Sequence, residues 1–442
     1  MAVQATYPAY QESGLPWAAK IPRGWSVLRN GRLFAHRVQT GFPDLPILEV
    51  SLRTGVRVRD MENLKRKQVM SQKEKYKRAA KGDIAYNMMR MWQGALGPAP
   101  VDGLVSPAYV VVKPFEEANS AYYSYLFRTD AYMREVNKFS RGIVADRNRL
   151  YWDEFKQMPS LVPPRAEQDQ IVAYLRAQDA HIARFIKAKR ELISLLNEQK
   201  LRIIDHAVTR GLDASVALKP SGVEWLGDVP EHWEVLPLRR VLRVKSGDMI
   251  HASEESEDGW PIYGGNGPRG FTKKVNCHGP MLLIGRVGAK CGCIHRVKGE
   301  FWASEHALRV IPLREFDLEF FEHLLRWIDF NRFAIRTAQP LINSTIVREQ
   351  ICAVPPVMEQ VEIRKWIAEE CRPLDDAIVR AEEEIKLIHE YRDRQIADVV
   401  TGQVDVRGWA PGPDDVATEE DLAALGGDEV PDDPGEEGDG ED

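Results

Sequence analysis

The chain has 442 residues, 44% hydrophobic and 9% aromatic, enough for two to four domains and too apolar for a wholly disordered polymer. Five unevenly spaced cysteines do not form a disulfide framework and suit a reducing compartment. No basic-then-apolar leader opens the chain and no run approaches the roughly 18 apolar residues of a membrane span, so a soluble, cytoplasmic protein is expected.

The net charge of −6 hides an asymmetry: 14 Asp and Glu, with no Lys or Arg, lie between Asp414 and Asp442, so the rest of the chain carries +8. A mildly basic body admits a polyanionic partner. The tail is too polar to offset its ordering entropy and is expected to be disordered.

In chain order, the first feature is a short motif: Ser13-Gly14-Leu15, Trp17, Ile21-Pro22, Trp25 and Val27-Leu28. It returns 208 positions later as Ser221-Gly222-Val223, Trp225, Val229-Pro230, Trp233 and Val235-Leu236. An internal repeat of this kind implies a duplicated unit. The tryptophans could stack bases, but their fixed place beside proline in both copies favours packing against the scaffold.

After the first motif comes a basic run, Lys65, Arg66, Lys67, Lys73, Lys75, Lys77, Arg78 and Lys81, broken only by Glu74. Residues 108–112 read as a strand and 119–138 as an amphipathic helix. Val162-Pro163-Pro164 then leads into Glu167-Gln168. From 167 to 208, Leu175, Ile182, Leu196 and Ile203 share one seven-residue register, with Ile171, Phe185 and Leu192 on its neighbour and Lys189 interrupting the first seam. Such a helix is about 60 Å long, more than a compact core needs.

The second half follows the same order. Residues 259–299 hold Arg269, Lys273, Lys274, Arg286, Lys290, Arg296 and Lys298 with no acid, among glycines, Tyr263 and Asn266. Phosphates need cations and closely approaching backbone amides, and base edges need forked donors, so this stretch suits nucleic acid. Residues 281–284 read as a strand and 318–336 as a helix. Val354-Pro355-Pro356 and Glu359-Gln360 repeat the earlier helix start at an offset of 192, and Ile367, Leu374, Ala381 and Ile388 continue the seam over 359–400. Pro373 is expected to break or kink this helix, while Gly211 and Gly402 end the two copies. The inserts between these frames share no obvious sequence.

Gly265-Asn266-Gly267-Pro268-Arg269-Gly270 fits a dinucleotide fingerprint, but no acidic residue follows about twenty positions on and no helix succeeds it. Cys277, His278, Cys291, Cys293 and His295 lack the paired spacing of a structural zinc site. No phosphate loop, nucleophile elbow or His-Glu-x-x-His motif is present. No catalytic residue and no metal ligand is assigned.

Several segments resemble specificity subunits of type I restriction–modification systems. They are Pro163-Pro164-Arg165-Ala166-Glu167-Gln168, Ala207-Val208-Thr209-Arg210-Gly211-Leu212-Asp213, and the run from Ser221 to Trp233. Pro261–Gly267, Leu282–Gly288 and Lys81–Asn87 look like parts of target-recognition domains, and the likeness covers about residues 13–408.

The resemblance implies an α+β fold: two mixed α/β target-recognition domains, separated by two long antiparallel coiled-coil helices, with an internal pseudo-twofold duplication. On this reading 1–160 and 213–352 are the recognition domains, 161–212 and 353–405 the helical spacers, and 406–442 an acidic disordered tail. The family implies reading of a bipartite sequence in double-stranded DNA and docking of two modification (methyltransferase) subunits and of restriction (motor–nuclease) subunits. S-adenosylmethionine would belong to the former, ATP and Mg2+ to the latter, and no cofactor to this chain, which would not itself be catalytic. Candidate DNA contacts are Lys65, Arg66, Asn87, Arg90, Arg141 and Arg147 in the first insert, and Tyr263, Asn266, Arg269, Lys273, Lys274, Arg286, Lys290, Arg336, Gln339 and Asn343 in the second. The alternatives are a stand-alone DNA-modifying enzyme with unrecognised motifs and a coiled-coil adaptor that reads no sequence.

Overall fold

The structure, a computed structural model, describes residues 6–52, 55–59, 73–142, 148–336, 339–413, 415, 416, 418, 421, 422 and 424–426. Its helices are Ser120–Phe127 (α1), Asp130–Phe139 (α2), Trp152–Phe155 (α3), Arg165–Arg210 (α4), Leu318–Ile328 (α5), Ser344–Glu349 (α6) and Val357–Val400 (α7). Two compact units result: Met1–Glu191 with Ala381–Asp442, and Leu192–Arg380. Each long helix therefore gives one end to each unit. The fold is α+β, as expected.

In unit one an antiparallel sheet runs in the order Phe34–His36, Tyr109–Pro114, Ile84–Asn87, Leu96–Pro98. Tyr109–Pro114 is the strand expected over 108–112; Val111 and Val112 are fully buried, which is what a β-branched run on a covered sheet achieves. The single helix expected over 119–138 is two, because Asn119 caps Ala121 and Tyr122 while Thr129 caps Tyr132 and restarts the chain. Ser26–Arg29 pairs with Pro159–Val162 beside the start of α4. Ile171 and Leu175 of α4 meet Val399 and Val400 of α7 in the same core, each with 1% exposure or less. Asp179 accepts from Arg392 (2.6 Å) and Tyr174 from Gln395 (2.8 Å), so the two helix ends run antiparallel within this unit. Lys189, the residue that interrupts the apolar seam, pairs with Glu384 and covers the Phe185 ring.

Unit two carries a sheet in the same order: Leu242–Ser246, Ala307–Pro312, Met281–Gly285, Ile294–Val297. Asp317 caps α5, whose Phe320, Phe321, Leu324, Leu325 and Ile328 are fully buried, each contributing about 1.5–3 kcal/mol of transfer free energy. The helix expected over 318–336 stops at Ile328, because Asp329 adopts a left-handed φ of 49° and a short 3-10 turn follows. Glu234–Pro237 pairs with Ile351–Val354, the counterpart of the frame ladder in unit one. Val208 and Ile363 share the core.

The inserts that share no obvious sequence thus share a four-stranded sheet and several of its ties to the frame. Asn30 N donates to Met158 O (2.9 Å) and Leu238 N to Gln350 O (2.8 Å); Phe115 N donates to Leu33 O and Leu313 N to Val241 O, each at 2.9 Å. The Glu-Gln pair opening each long helix explains why the frame recurs. Trp25 and Trp233, 3% and 1% exposed, donate their indole N–H to Glu167 (3.0 Å) and Glu359 (2.9 Å). Gln168 and Gln360 accept from the amides of Asn119 and Asp317, the helix caps, both at 2.9 Å. One dipeptide therefore satisfies a buried indole and fixes the first helix after the sheet.

A third helix expectation is corrected. Helix α7 continues through Pro373 as one 44-residue helix. Its missing hydrogen bond is tolerated where its side is exposed and the turns around it, at Ile367, Cys371 and Ala381, are anchored by burial. Of the acidic tail, Asp415 pairs with His181 (2.7 Å) and Ala424 is buried with Ile182 and Ile186, while Val416 and Leu422 are exposed. The later tail lies outside the described residues.

Candidate nucleic-acid interface

Unit two gathers its glycines where chain segments must touch. Gly265 and Asn266 form the turn between Trp260–Gly264 and Gly267–Thr272, so the fingerprint-like run is a hairpin. A Cβ at Gly265 would stand 2.8 Å from Val287 O, and one at Gly285 would strike Gly265 O. This contact seats the hairpin against the loop that follows Met281–Gly285. That loop is in turn tied to the chain after α5: Ile342 N donates to Arg286 O (2.8 Å), Gly288 N to Pro340 O (3.0 Å), and Val287 bridges Leu341.

Three segments distant in sequence thus bring Asn266, Arg286, Lys290, Arg336, Gln339 and Asn343 into one loop cluster. Arg286 is half-buried, its guanidinium near Ser246 Oγ (3.4 Å) and Glu305 O (3.3 Å). Lys290 and Arg336 are exposed, with no carboxylate partner among the described residues. Asn343 accepts from Ile346 N (2.8 Å) as the cap of α6, so its side-chain oxygen is engaged in holding the loop. Tyr263 is half-buried edge-on against Phe301 (5.5 Å) and not displayed like the others.

The acid-free appearance of 259–299 does not survive folding. Strand pairing lays Glu255–Ser256 along Gly267–Thr272, and Arg269 meets Glu255 (2.6 Å), Lys273 meets Asp258 (2.7 Å) and Lys274 meets Glu254. The Lys273 hydrogen bond holds the Asp258 carboxyl below its ordinary value, and the Lys274 bond does the same for Glu254. Arg296 is bound by Glu319 and Glu322 of α5. Sequence reasoning also missed a concavity of about 420 Å³ lined by Arg239, Arg243, Lys245 and Arg348 at the edge strand Leu242–Ser246. Alternation of exposed Arg243 and Lys245 with buried Leu242 and Val244 was the signal that could have found it. The strand ends at Ser246, beside Arg286.

The cysteines and histidines disperse. Cys277 lies by Arg309 (3.9 Å), while Cys293, just before the strand Ile294–Val297, meets His295 (3.2 Å). No group of three or more metal-ligating residues occurs among the described residues.

Unit one has the corresponding loops: Leu150 N donates to Met88 O (2.8 Å), the counterpart of the Ile342–Arg286 bond. Arg90, exposed, follows the sheet strand, and Arg141, also exposed, is paired with Glu154 (2.6 Å) across the tied segment. Asn87 is 1% exposed and accepts from Met89 N (2.9 Å), so it serves the turn. Lys65, Arg66 and Arg147 lie outside the described residues. The extra hairpins differ: unit one adds Leu48–Ser51 with Gly55–Val58 and Lys77–Ala79 with Gly103–Val105, whereas unit two adds a five-stranded sheet. No helix of the described residues is long and apolar enough to cross a membrane.

The molecule is a duplicated α+β scaffold whose copies present tied, glycine-spaced loops after the same strand and differ in what they insert. Residues 230–377 match the family described as type I restriction modification DNA specificity domain. Over 130 residues the chain is 35% identical to the type I restriction enzyme EcoprrI specificity subunit of Escherichia coli, covering 29% of this chain and 32% of that protein. Over 105 residues it is 31% identical to the MjaVIII specificity subunit of Methanocaldococcus jannaschii, 24% of this chain and 23% of the relative. A solved structure described as the basis of complex assembly and conformational transition of the type I R-M system shares the fold. Its TM-score is 0.59 at 14% identity, over 86% of this chain and 98% of that one. The sequence matches thus span under a third of the curated relatives' lengths. Over these segments the chain is similar to type I specificity subunits, and it shares the fold of the solved structure.

Proposed function

We propose that the chain is the DNA-binding specificity subunit of a type I restriction–modification complex, one unit reading each half of a bipartite sequence. The carrying observation is the repetition of one sheet order and its ties to the frame beneath two different sets of inserts. Two readers with different targets need common supports and divergent contact loops. The exposed cations Lys290 and Arg336 beside the hairpin supply phosphate contacts, and Arg286 lies where a base edge could be read.

The chain contributes no catalysis. Two modification subunits bring S-adenosylmethionine and methylate adenine, and restriction subunits bring ATP and Mg2+. Phe185, Leu387 and Tyr391 of the long helices in unit one, and Leu192, Leu195 and Leu201 in unit two, are exposed, which supports docking of partner subunits there. The two helices would then set the gap between half-sites. The complex acts on the chromosome in the cytoplasm.

The test is co-expression with a cognate modification subunit and mapping of methylated adenines at single-base resolution. One bipartite sequence with a constant gap is expected, and exchange of residues 260–292 for those of a relative should alter one half only. Methyl transfer or cleavage by the purified chain alone would overturn the assignment in favour of a stand-alone enzyme.

A further inference from the structure

The C-terminal acidic segment has a defined seat. Along α4, His181, Arg184, Lys187 and Arg190 recur every three residues, a spacing that makes helical neighbours of one imidazole and three cations. Asp415 meets His181 (2.7 Å), Asp421 lies 3.9 Å from Lys187, and Arg190 donates to Ala424 O (2.9 Å). The acidic segment therefore follows the cations in register.

The contact is also apolar. Ala424 is 9% exposed and packs with Ile182 (4%) and Ile186 (0%) of α4, against half-buried Ile385, Ile388 and Leu425. The segment is built to make this contact: Thr418 N donates to Asp421 (3.3 Å) and Asp421 N to Thr418 Oγ1 (3.1 Å), a reciprocal cap opening a helical turn that aims Ala424 and Leu425 at the isoleucines. Upstream, Gln170 ties the chain through Val406 O and Trp409 O, and Trp409 packs edge-on against Tyr174 (5.5 Å).

We propose that the α4–α7 pair of unit one carries a docking groove for an acidic, apolar-bearing protein segment, and that the chain's own end plugs it in cis through Asp415, Asp421, Ala424 and Leu425. A phosphate backbone would satisfy the cations and leave Ile182 and Ile186 in water; a short acidic helix satisfies both. The plug is held by exposed ion pairs and one small apolar patch, so a partner segment of the same chemistry can displace it. Occupancy of the groove then depends on competition between the chain's own end and its partner.

The test uses a fluorescent peptide of residues 413–428 as probe, with the full chain and a chain ending at Gly412. The shortened chain should bind the peptide, and the full chain about tenfold more weakly, because the tethered copy competes at a high effective concentration. Lys187→Glu with Arg190→Glu in the shortened chain should lower affinity by about tenfold or more. Should the shortened chain fail to fold, the same two substitutions in the full chain should speed amide hydrogen exchange at Leu422, Ala424 and Leu425. Equal peptide binding by both chains, undiminished binding or unchanged amide exchange in the charge-reversed variant, or preference of the uncovered groove for random duplex DNA over the peptide, would each overturn the proposal.

Discussion

Lys290 and Arg336 stand exposed on tied loops without carboxylate partners among the described residues, whereas Lys273 and Lys274 are held by Asp258 and Glu254. If the loop cluster faces DNA, the two sets contribute unequally to the salt dependence of binding. Each phosphate contact adds about 0.9 to the slope of log affinity against log salt, so between 50 and 200 mM each is worth about 3.5-fold. Lys290→Ala with Arg336→Ala should therefore flatten the slope by about 1.8 and erase about twelvefold of the affinity lost over that range. Lys273→Ala with Lys274→Ala removes cations already neutralised by neighbours and should change the slope by less than about 0.5. The assay is fluorescence anisotropy on a duplex carrying the recognised sequence, titrated at five salt concentrations with the partner subunit held constant. Equal flattening by the two pairs would show that Lys273 and Lys274 exchange carboxylates for phosphates and that the ion pairs do not partition the surface. An unchanged slope in the first pair would place DNA elsewhere.

Glu359→Ala leaves the 1%-exposed Trp233 without its acceptor and should cost about 1–3 kcal/mol in chemical denaturation; no loss would mean that water replaces the carboxylate. Gly402→Ala meets both a φ of +74° and the ring of Pro22, so it should cost more than Gly14→Ala. The latter has a φ of +77° and open space, and should lose only the left-handed penalty of about 1–2 kcal/mol; equal melting shifts would refute the packing argument. Burial lowers the pKa of His323, so below its ordinary 6.5 the unfolded chain takes up a proton that the folded chain resists. Stability from this group is full above that value and is lost as pH falls from 6.5 toward the folded pKa, so His323→Gln should shallow the decline in melting temperature between pH 7 and 5.5. An unchanged decline would assign it to His36 and His295, whose pKa values burial also lowers.

What the sequence determined by itself is local or periodic. A seven-residue apolar register over forty residues admits only a long helix, and Trp17, Trp25, Trp225 and Trp233 repeating in register reveal the duplication without any coordinates. Helix ends at Gly211 and Gly402 were legible because only a left-handed residue turns the chain there; their φ values are +71° and +74°. The tertiary structure decided everything that depends on strand pairing. Two inserts without common sequence adopt one sheet order because side-chain alternation constrains burial and not identity, so Tyr109–Pro114 and Ala307–Pro312 hold equivalent central places with different residues. The same pairing brought Glu254, Glu255 and Asp258 against Lys274, Arg269 and Lys273 and cancelled a basic run that looked unopposed along the chain. Through the tie of Ile342 to Arg286 it also joined the hairpin turn, the strand-end loop and the segment after α5 into one surface. Charge summed along a sequence counts neighbours in order, whereas the field at a surface counts neighbours in space, and strand pairing brings together residues that sequence order keeps apart.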